Sequence, residues 1–319
     1  MNAAGLPNLL SISDLSTDQI WQVLAVARVF SQLDGKKPSL SILNGVTVVN
    51  LFMEPSTRTR TSFEMAARRL GGSVLNFTGA SSSLYKGETL LDTAKTILAM
   101  RPDCLVVRHS ASGAPLYLSR TLKVPILNAG DGFHQHPTQA LLDLYTLRET
   151  IGSLEGKFVV ILGDVAHSRV ARSNIEALQK VGAKVAICGP PTLLPKGFEK
   201  TGVEYSYRLE DLLPRADAIM ALRVQAERQN KMQLPSVHEY RRFWGLTVER
   251  AKLLKEKVVI LHPGPVNRGI EIDPEVADGP RSVILDQVAS GVVVRMAALA
   301  MVCNPTGLFE WLKKEGHRV

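Results

Sequence analysis

Three cysteines in 319 residues, at positions 104, 188 and 303, are too few and too scattered for a disulfide framework. None forms a Cys-x-x-Cys pair, so a structural zinc site is not expected, and a reducing cytoplasm is the expected compartment. Aromatic residues make up only 6%, and they do not interleave with the dispersed basic residues as a nucleic-acid-binding face would require. The longest apolar stretch, Val288 to Cys303, is interrupted by Arg295 and preceded by Asp286. It reads as a buried helix, and no membrane partner is expected. The first basic residue is Arg28, so no positively charged segment precedes Leu6 to Ile12 and a secretory signal is not expected. Asn76-Phe77-Thr78 is then a chance sequon. Also missing are Gly-x-Gly-x-x-Gly after a strand, Gly-x-x-x-x-Gly-Lys-Ser/Thr and Gly-x-Ser-x-Gly, with Gly163-Asp164-Val165 a poor substitute. Dinucleotide, nucleoside triphosphate and elbow-type serine sites lose their markers, and no cofactor is expected. His134-Gln135-His136 has only Asp131 as a nearby ligand candidate, so these read as ordinary loop histidines with no metal. Glu88, Asp92, Asp143 and Glu149 fall on helical patterns where solvent or caps account for a carboxylate, and no acid/base pair stands out.

What is present is an ordinary globular composition, 45% hydrophobic and 21% charged, on a chain long enough for two domains. A formal charge of +8 favours anionic partners. The densest basic stretch, Arg241-Arg242 to Lys257, is broken by Phe243, Trp244, Glu249 and Glu256 and reads as a solvated face. Short apolar runs alternate with helical periodicity throughout. Strands are expected at Val46 to Phe52, Val74 to Phe77, Cys104 to Val107 and Val124 to Leu127, with helices opening near Thr57, Glu88, Gly113 and Pro137. After Gly152 a second series begins. Its strands are Phe158 to Leu162, Val185 to Cys188, Ala218 to Leu222 and Val258 to Leu261, with a helix from Arg169 to Val181 closed by Gly182. The fold class is α/β, two doubly wound parallel-sheet domains over 1–150 and 151–290, followed by a C-terminal helix over 291–319. Ligands of such sheets sit beyond the carboxyl ends of strands, which places the expected active site in a cleft between the domains. The segment from Glu227 to Thr247 carries no assignment.

The junction Glu54-Pro55-Ser56-Thr57-Arg58-Thr59-Arg60-Thr61 joins a strand pattern to a helical one. Helix N-termini present unpaired N–H groups and a positive dipole end, where arginines are disfavoured unless an anion is bound. With Ser56, Thr57 and Thr59 as hydroxyl donors, the turn reads as a phosphate cradle built without a glycine-rich loop. The alternative is an N-capped helix with arginines in solvent, because Thr61-Ser62-Phe63-Glu64 matches a capping box. Arg58 and Arg60 cannot both face one ligand from a helix, so Arg58 is taken as ligand-facing and Arg60 as structurally paired.

Cations and neutral donors gather at the other strand ends as well. Arg108 and His109 follow one strand, and Asn128 to Gly132 and then His136-Pro137-Thr138-Gln139 follow another. Ser81 to Gly87 is a hydroxyl-rich loop carrying Lys86; taken alone, such a loop is most often just surface. In the second half, Arg169, the pair Arg223 and Gln225, and His262-Pro263-Gly264-Pro265 each follow a strand. Any one of them fits a solvated loop. Together they describe two anion sites, one per domain.

Ser56 to Glu64, Lys86-Gly87-Glu88-Thr89, Arg108-His109, His136-Pro137-Thr138-Gln139, Arg223-Val224-Gln225 and His262-Pro263-Gly264-Pro265 resemble, in order, the motifs of the aspartate carbamoyltransferase family. The first motif is shared by all carbamoyltransferases. Thr138 and Gly264 stand where ornithine enzymes usually carry cysteine after His-Pro and His-Cys-Leu-Pro. Gly264 also departs from the leucine of regulated aspartate members, with little chemical consequence expected, since the family uses backbone carbonyls there. The resemblance implies that the first domain binds carbamoyl phosphate and the second aspartate. Ser56, Arg58 and Thr59 would hold the phosphate, Arg108 and His136 the carbamoyl oxygen, and Gln139 with the Gly264-Pro265 backbone the amide. Arg169, Arg223 and Gln225 would bind aspartate, while Ser82 and Lys86 would enter from the neighbouring subunit of a homotrimer with shared active sites. It further implies direct transfer to the aspartate amine early in pyrimidine biosynthesis. His136 would serve best as a neutral donor that favours the transition state over the ground state. Regulatory or dihydroorotase partner chains stay open, as do an ornithine-type carbamoyltransferase, a nucleic-acid-binding module and an inactive scaffold.

Overall fold

The structure is a computed structural model that describes residues 5–33, 40–79, 88–224 and 236–317. It divides into two compact units, one formed by 1–141 with 290–319 and the other by 142–289. The described elements of the first unit are α1 (Thr17–Leu33), β1 (Thr47–Phe52), α2 (Thr57–Arg69), β2 (Ser73–Thr78), α3 (Leu90–Ala99), β3 (Cys104–His109), α4 (Ala114–Thr121) and β4 (Ile126–Asp131). The chain leaves this unit inside α5 (Pro137–Ile151). The second unit follows with β5 (Phe158–Leu162), α6 (Arg169–Lys180), β6 (Lys184–Cys188), β7 (Glu204–Ser206), β8 (Ala218–Ala221), α7 (Val237–Trp244), α8 (Val248–Ala251), β9 (Val259–Leu261) and α9 (Pro274–Ala277). Within α10 (Ile284–Cys303) the chain returns to the first unit, which α11 (Pro305–Lys314) completes.

Both sheets are wholly parallel, the first ordered β2-β1-β3-β4 and the second β7-β6-β5-β8-β9. The order reverses between β1 and β3 in one and between β5 and β8 in the other. Successive crossover helices leave on opposite faces at such a point, opening a crevice at the carboxyl ends of the two strands. The interior strands are apolar on both faces because helices cover both. Val49, Leu51, Leu105, Val107 and Ile126 pack with Ala94, Ile97 and Leu118 in the first unit. Val160, Leu162, Ala186, Ile219 and Ile260 anchor a comparable core in the second.

The expected strands form with small shifts. The strand expected from Val124 starts two residues later, because Pro125 has no N–H to donate, although its carbonyl accepts from Leu105. The three-residue edge strand β7 has no counterpart in the expectations. Helix α2 opens at Thr57, as expected, and the alternative start at the Thr61 capping box is not used: Arg60 N–H donates to the Ser56 carbonyl at 3.1 Å, so the first turn closes one turn earlier. Glu64 pairs instead with Arg68 and accepts from Asn76 Nδ2, which places the sequon asparagine in a side-chain chain with Asn50. Two expectations are corrected. Asp143 is neither solvated nor a cap: it is fully buried and accepts from Asn174 at 2.8 Å and Gln287 at 2.7 Å. The basic stretch 241–257 is not simply a solvated face. Arg241 pairs with Asp273 and Lys255 with Asp217, while Arg250 pairs with Glu210 and donates to the carbonyls of Arg241, Arg242 and Gly245 at the end of α7.

Helix α10 is long and apolar enough by composition to cross a membrane, but 67% of its apolar window is buried inside the protein. Arg295, the charge that interrupts it, is itself buried. Its guanidinium donates to Ser62 Oγ at 2.8 Å and lies 5.2 Å from the Phe63 ring centre, so this cation locks α10 onto α2.

Candidate functional site

In the first unit the crevice is built by the residues that follow β1, β3 and β4. Ser56 caps α2 with extended backbone, yet its hydroxyl makes no capping hydrogen bond, and no acidic residue stands in the first turn. Helix N-termini normally satisfy their N–H groups with such groups. Here Ser56, Thr57 and Arg58 are partly or wholly exposed, whereas Thr59 is buried. The result is an anion-receptive helix end. The Arg60 side chain makes no hydrogen bond or ion pair among the described residues, so the structural pairing expected for it is not observed.

Arg108 ends the buried part of β3. Its guanidinium donates to the Ala129 carbonyl at 3.1 Å and to Glu54 Oε1 at 3.2 Å, and both members of the pair are mostly buried. Glu54 therefore balances a charge that would otherwise be costly to bury. His109 beside it accepts from Ala111 N–H at Nδ1. Burial lowers its pKa from the ordinary value, although Glu54 and Asp131 act in the opposite direction.

The turn into α5 is organised by Asp131, which is almost fully buried. Its carboxylate accepts from Gly113 N–H at 2.6 Å, Asn128 Nδ2 at 2.8 Å and Gln135 N–H at 3.0 Å, and it pairs with His134 Nδ1 at 3.0 Å. Gly132 has φ +45°, and a Cβ there would stand 2.7 Å from Ser112 N, so only glycine fits the corner. This bracket delivers His136 and Gln139, both buried, at the first turn of α5. Asp131 thus serves as a scaffold; among the described residues no three His, Cys, Asp or Glu side chains converge on a metal-sized space.

In the second unit the residues after β5, β8 and β9 play the corresponding parts. Ser168 caps α6, accepting from Ala171 N–H at 3.1 Å, and Arg169 begins the helix, buried. Asp164 holds the preceding loop through the backbone N–H and Nδ1 of His167, at 3.1 and 2.9 Å. Arg223 follows β8 and is half-buried. After β9, His262 is buried, the Gly264–Pro265 peptide is cis, and Gly264 has φ +66°. A leucine at that position would be strained, so the glycine has a conformational reason that its expected chemical neutrality did not reveal.

The structure therefore places Ser56, Arg58, Thr59, Arg108, His136 and Gln139 in the first unit, and Arg169, Arg223, Gly264 and Pro265 in the second. Ser82, Lys86 and Gln225 lie outside the described residues. Glu54, Asp131, Asp164, His167 and Glu271 received no functional role from the sequence. Asp131 had a usable signal, the polar cluster Asn128 to Gln135 at a strand end; Glu271 had none, since its partner His262 is met only through the fold.

The first unit matches the family model for the carbamoyl-P binding domain of aspartate/ornithine carbamoyltransferase over residues 7–149, and the second the Asp/Orn binding domain over 155–302. The chain belongs to the aspartate/ornithine carbamoyltransferase family. Within that family it is 53% identical over 293 residues to the aspartate carbamoyltransferase catalytic subunit of Opitutus terrae, covering 92% of this chain and 93% of the relative. Its backbone is similar to that of aspartate transcarbamoylase from Trypanosoma cruzi in complex with carbamoyl phosphate and aspartate, with a TM-score of 0.84 and 30% identity over 94% of this chain and 96% of that one. An ornithine carbamoyltransferase from Pyrococcus furiosus gives a TM-score of 0.83 at 30% identity, over 95% and 98% of the two chains. Backbone likeness alone therefore does not separate the aspartate enzymes from the ornithine enzymes, whereas the sequence is 53% identical to the Opitutus terrae aspartate enzyme and 30% identical to this ornithine enzyme.

Proposed function

We propose that this chain transfers the carbamoyl group of carbamoyl phosphate to the amine of L-aspartate, giving N-carbamoyl-L-aspartate and phosphate early in pyrimidine biosynthesis. One observation carries the chemistry: the N-terminus of α2 has neither a side-chain cap nor an acidic first turn, and it stands with Arg108 at the strand-order reversal of the first sheet. That arrangement suits a phosphorylated acyl donor. The aspartate relatives at about half identity supply the acceptor.

In this reading Ser56, Arg58 and Thr59 hold the phosphate. Arg108 and His136 donate to the carbamoyl oxygen, and Gln139 with the carbonyls of Gly264 and Pro265 accepts from its amide. Arg169, Arg223 and Gln225 bind the carboxylates of aspartate. The uncharged amine attacks the carbamoyl carbon, the new C–N bond forms, and the C–O bond to phosphate breaks as the departing phosphate takes the amine proton. No covalent enzyme intermediate is required. Positioning two bound reactants supplies about 7–11 kcal/mol and each preorganised oxyanion donor about 3–4, which is within reach of a site built of cations and amides.

The active assembly is a homotrimer in which Ser82 and Lys86 come from the neighbouring chain, and it works in the cytoplasm, a compartment that suits its three free thiols. A regulatory or dihydroorotase chain is a further partner to seek by co-purification. The deciding assay is product formation by the assembled protein with carbamoyl phosphate and either aspartate or ornithine. Carbamoyl aspartate is expected; citrulline, or no product with either acceptor, ends this reading. Activity per chain that rises with protein concentration and then saturates supports shared sites.

A further inference from the structure

The turn 262–265, assigned above to the carbamoyl amide, has an unusual hydrogen-bond balance. Pro263 and Pro265 have no N–H, so Gly264 supplies the one backbone donor between them, and it points inward to His262 Nδ1 at 2.8 Å. Among the described residues nothing donates to the carbonyls of residues 263–265. The turn thus offers three free acceptors and is held from behind through a single side chain.

That side chain is anchored by a fully buried carboxylate. Because Nδ1 accepts from Gly264, the ring proton faces the other way, and His262 Nε2 stands 3.1 Å from Glu271 Oε1, with both side chains completely buried. The same oxygen accepts from Asn267 N–H at 2.6 Å. Asn267 Nδ2 in turn donates to the Val224 carbonyl at 3.0 Å, next to Arg223 and Gln225. His262 N–H donates to Gln287 Oε1 at 2.8 Å, which closes the bracket. One carboxylate oxygen thereby joins the turn assigned to the carbamoyl amide to the strand end assigned to aspartate. The other oxygen, Oε2, is buried and has no donor among the described residues. The buried Tyr240 hydroxyl, likewise without a hydrogen-bond partner there, has a pKa that burial raises well above its ordinary value, with the Glu271 charge adding to the effect. A carboxylate in such a position is expensive, and a group kept there for packing alone would be better replaced by a hydrocarbon.

We propose that Glu271 is a positioning residue which, acting through His262 and Asn267, sets the Gly264–Pro265 carbonyls and the Arg223–Val224 strand end in register for the reaction. The inference rests on the reading of the site given above. It also makes a distinction inside the carboxyl group: Oε1 is used and Oε2 is not, so a glutamine with its amide nitrogen in the place of Oε2 keeps both working hydrogen bonds, whereas leucine loses them.

The test compares Glu271→Gln, Glu271→Leu and Asn267→Ala in the full assembled chain, with carbamoyl phosphate, aspartate and inorganic phosphate as probes. Glu271→Leu is expected to lower kcat by about 30- to 100-fold and to raise KM for aspartate, while the inhibition constant of inorganic phosphate, whose expected site is in the first unit, stays within about twofold. Glu271→Gln is expected to stay within about threefold of wild type in both kcat and KM. Asn267→Ala is expected to raise KM for aspartate by about five- to tenfold with little change in kcat. A folded Glu271→Leu with wild-type kinetics overturns the proposal, as does a Glu271→Gln as damaged as the leucine variant, or an Asn267→Ala with unchanged KM. If Glu271→Leu does not fold, the glutamine and Asn267 variants decide. A wild-type protein that makes no carbamoyl aspartate would defeat the functional reading itself, which is a different failure from an active wild type whose variants behave alike.

Discussion

The two helices that follow the central strands of the two sheets begin in the same way and end up electrically different. Both α2 and α6 have a serine N-cap in extended conformation, an arginine in the first turn and no acidic residue there. In α6 the serine satisfies its own helix by accepting from Ala171 N–H, and the loop before it is tied down by Asp164. In α2 the Ser56 hydroxyl makes no such bond. A helix that caps itself has spent its N-terminal donors on stability, whereas an uncapped one keeps them for a ligand. In the proposed reading this difference suits α2 to a dianion and α6 to presenting one arginine to a carboxylate.

Substitutions can break or sharpen this contrast, beginning with the largest expected effect. Arg58→Ala, which removes a cation from the departing phosphate, and His136→Ala, which removes a preorganised oxyanion donor, are each expected to lower kcat by about 100- to 1000-fold, with His136→Ala sparing carbamoyl phosphate affinity. Equal losses of kcat and affinity for His136→Ala would remove its assigned role. Arg223→Ala and Arg169→Ala are expected to raise KM for aspartate by about 10- to 100-fold while leaving phosphate inhibition unchanged, which steady-state kinetics reads directly. Ser168→Ala is expected to cost about 1 kcal/mol in denaturant unfolding, and Ser56→Ala less than about half of that; in exchange Ser56→Ala weakens phosphate binding. If both serines prove equally important to stability, the two helix ends are not different in kind.

The smallest effect concerns pH. Asp217 is partly buried, which pushes its pKa up, but the Phe158 N–H and Lys255 outweigh burial and hold it below its ordinary value. A lowered folded-state pKa gives stability that is present above the unfolded value and is lost as pH falls through the folded one. The difference in melting temperature between wild type and Asp217→Asn is therefore expected at neutral pH and should shrink as pH is lowered from about 5 toward the lowered pKa.

Most of the fold could be read in advance where a strand is interior and apolar. Phe158–Leu162 was legible to the residue because it is bounded by polar residues and covered on both faces. The edge strand Glu204–Ser206 was not, because three residues, one exposed and two half-buried, carry no periodic signal. The candidate site was legible wherever cations and hydroxyls collected at a strand end, as at Ser56 to Arg60 or His136 to Gln139. It was illegible where a carboxylate acts by contact across distant segments. Asp143 looked like a surface residue of α5 and is fully buried against Asn174 and Gln287. Glu54 gave no hint that it neutralises Arg108, 54 residues away.

Residue order along the chain by itself determined the alternation of strand and helix, the division into two sheets, and which strand ends carry donors. These follow from local periodicity and from the chemistry of neighbours within a few positions. Only the tertiary structure decided which donors are already consumed. Whether a serine caps its helix, whether an arginine faces a carboxylate, and whether a glutamate holds a turn from behind all depend on atoms brought within about 3 Å by chain reversal, a distance at which hydrogen bonding is decided and which sequence separation does not encode.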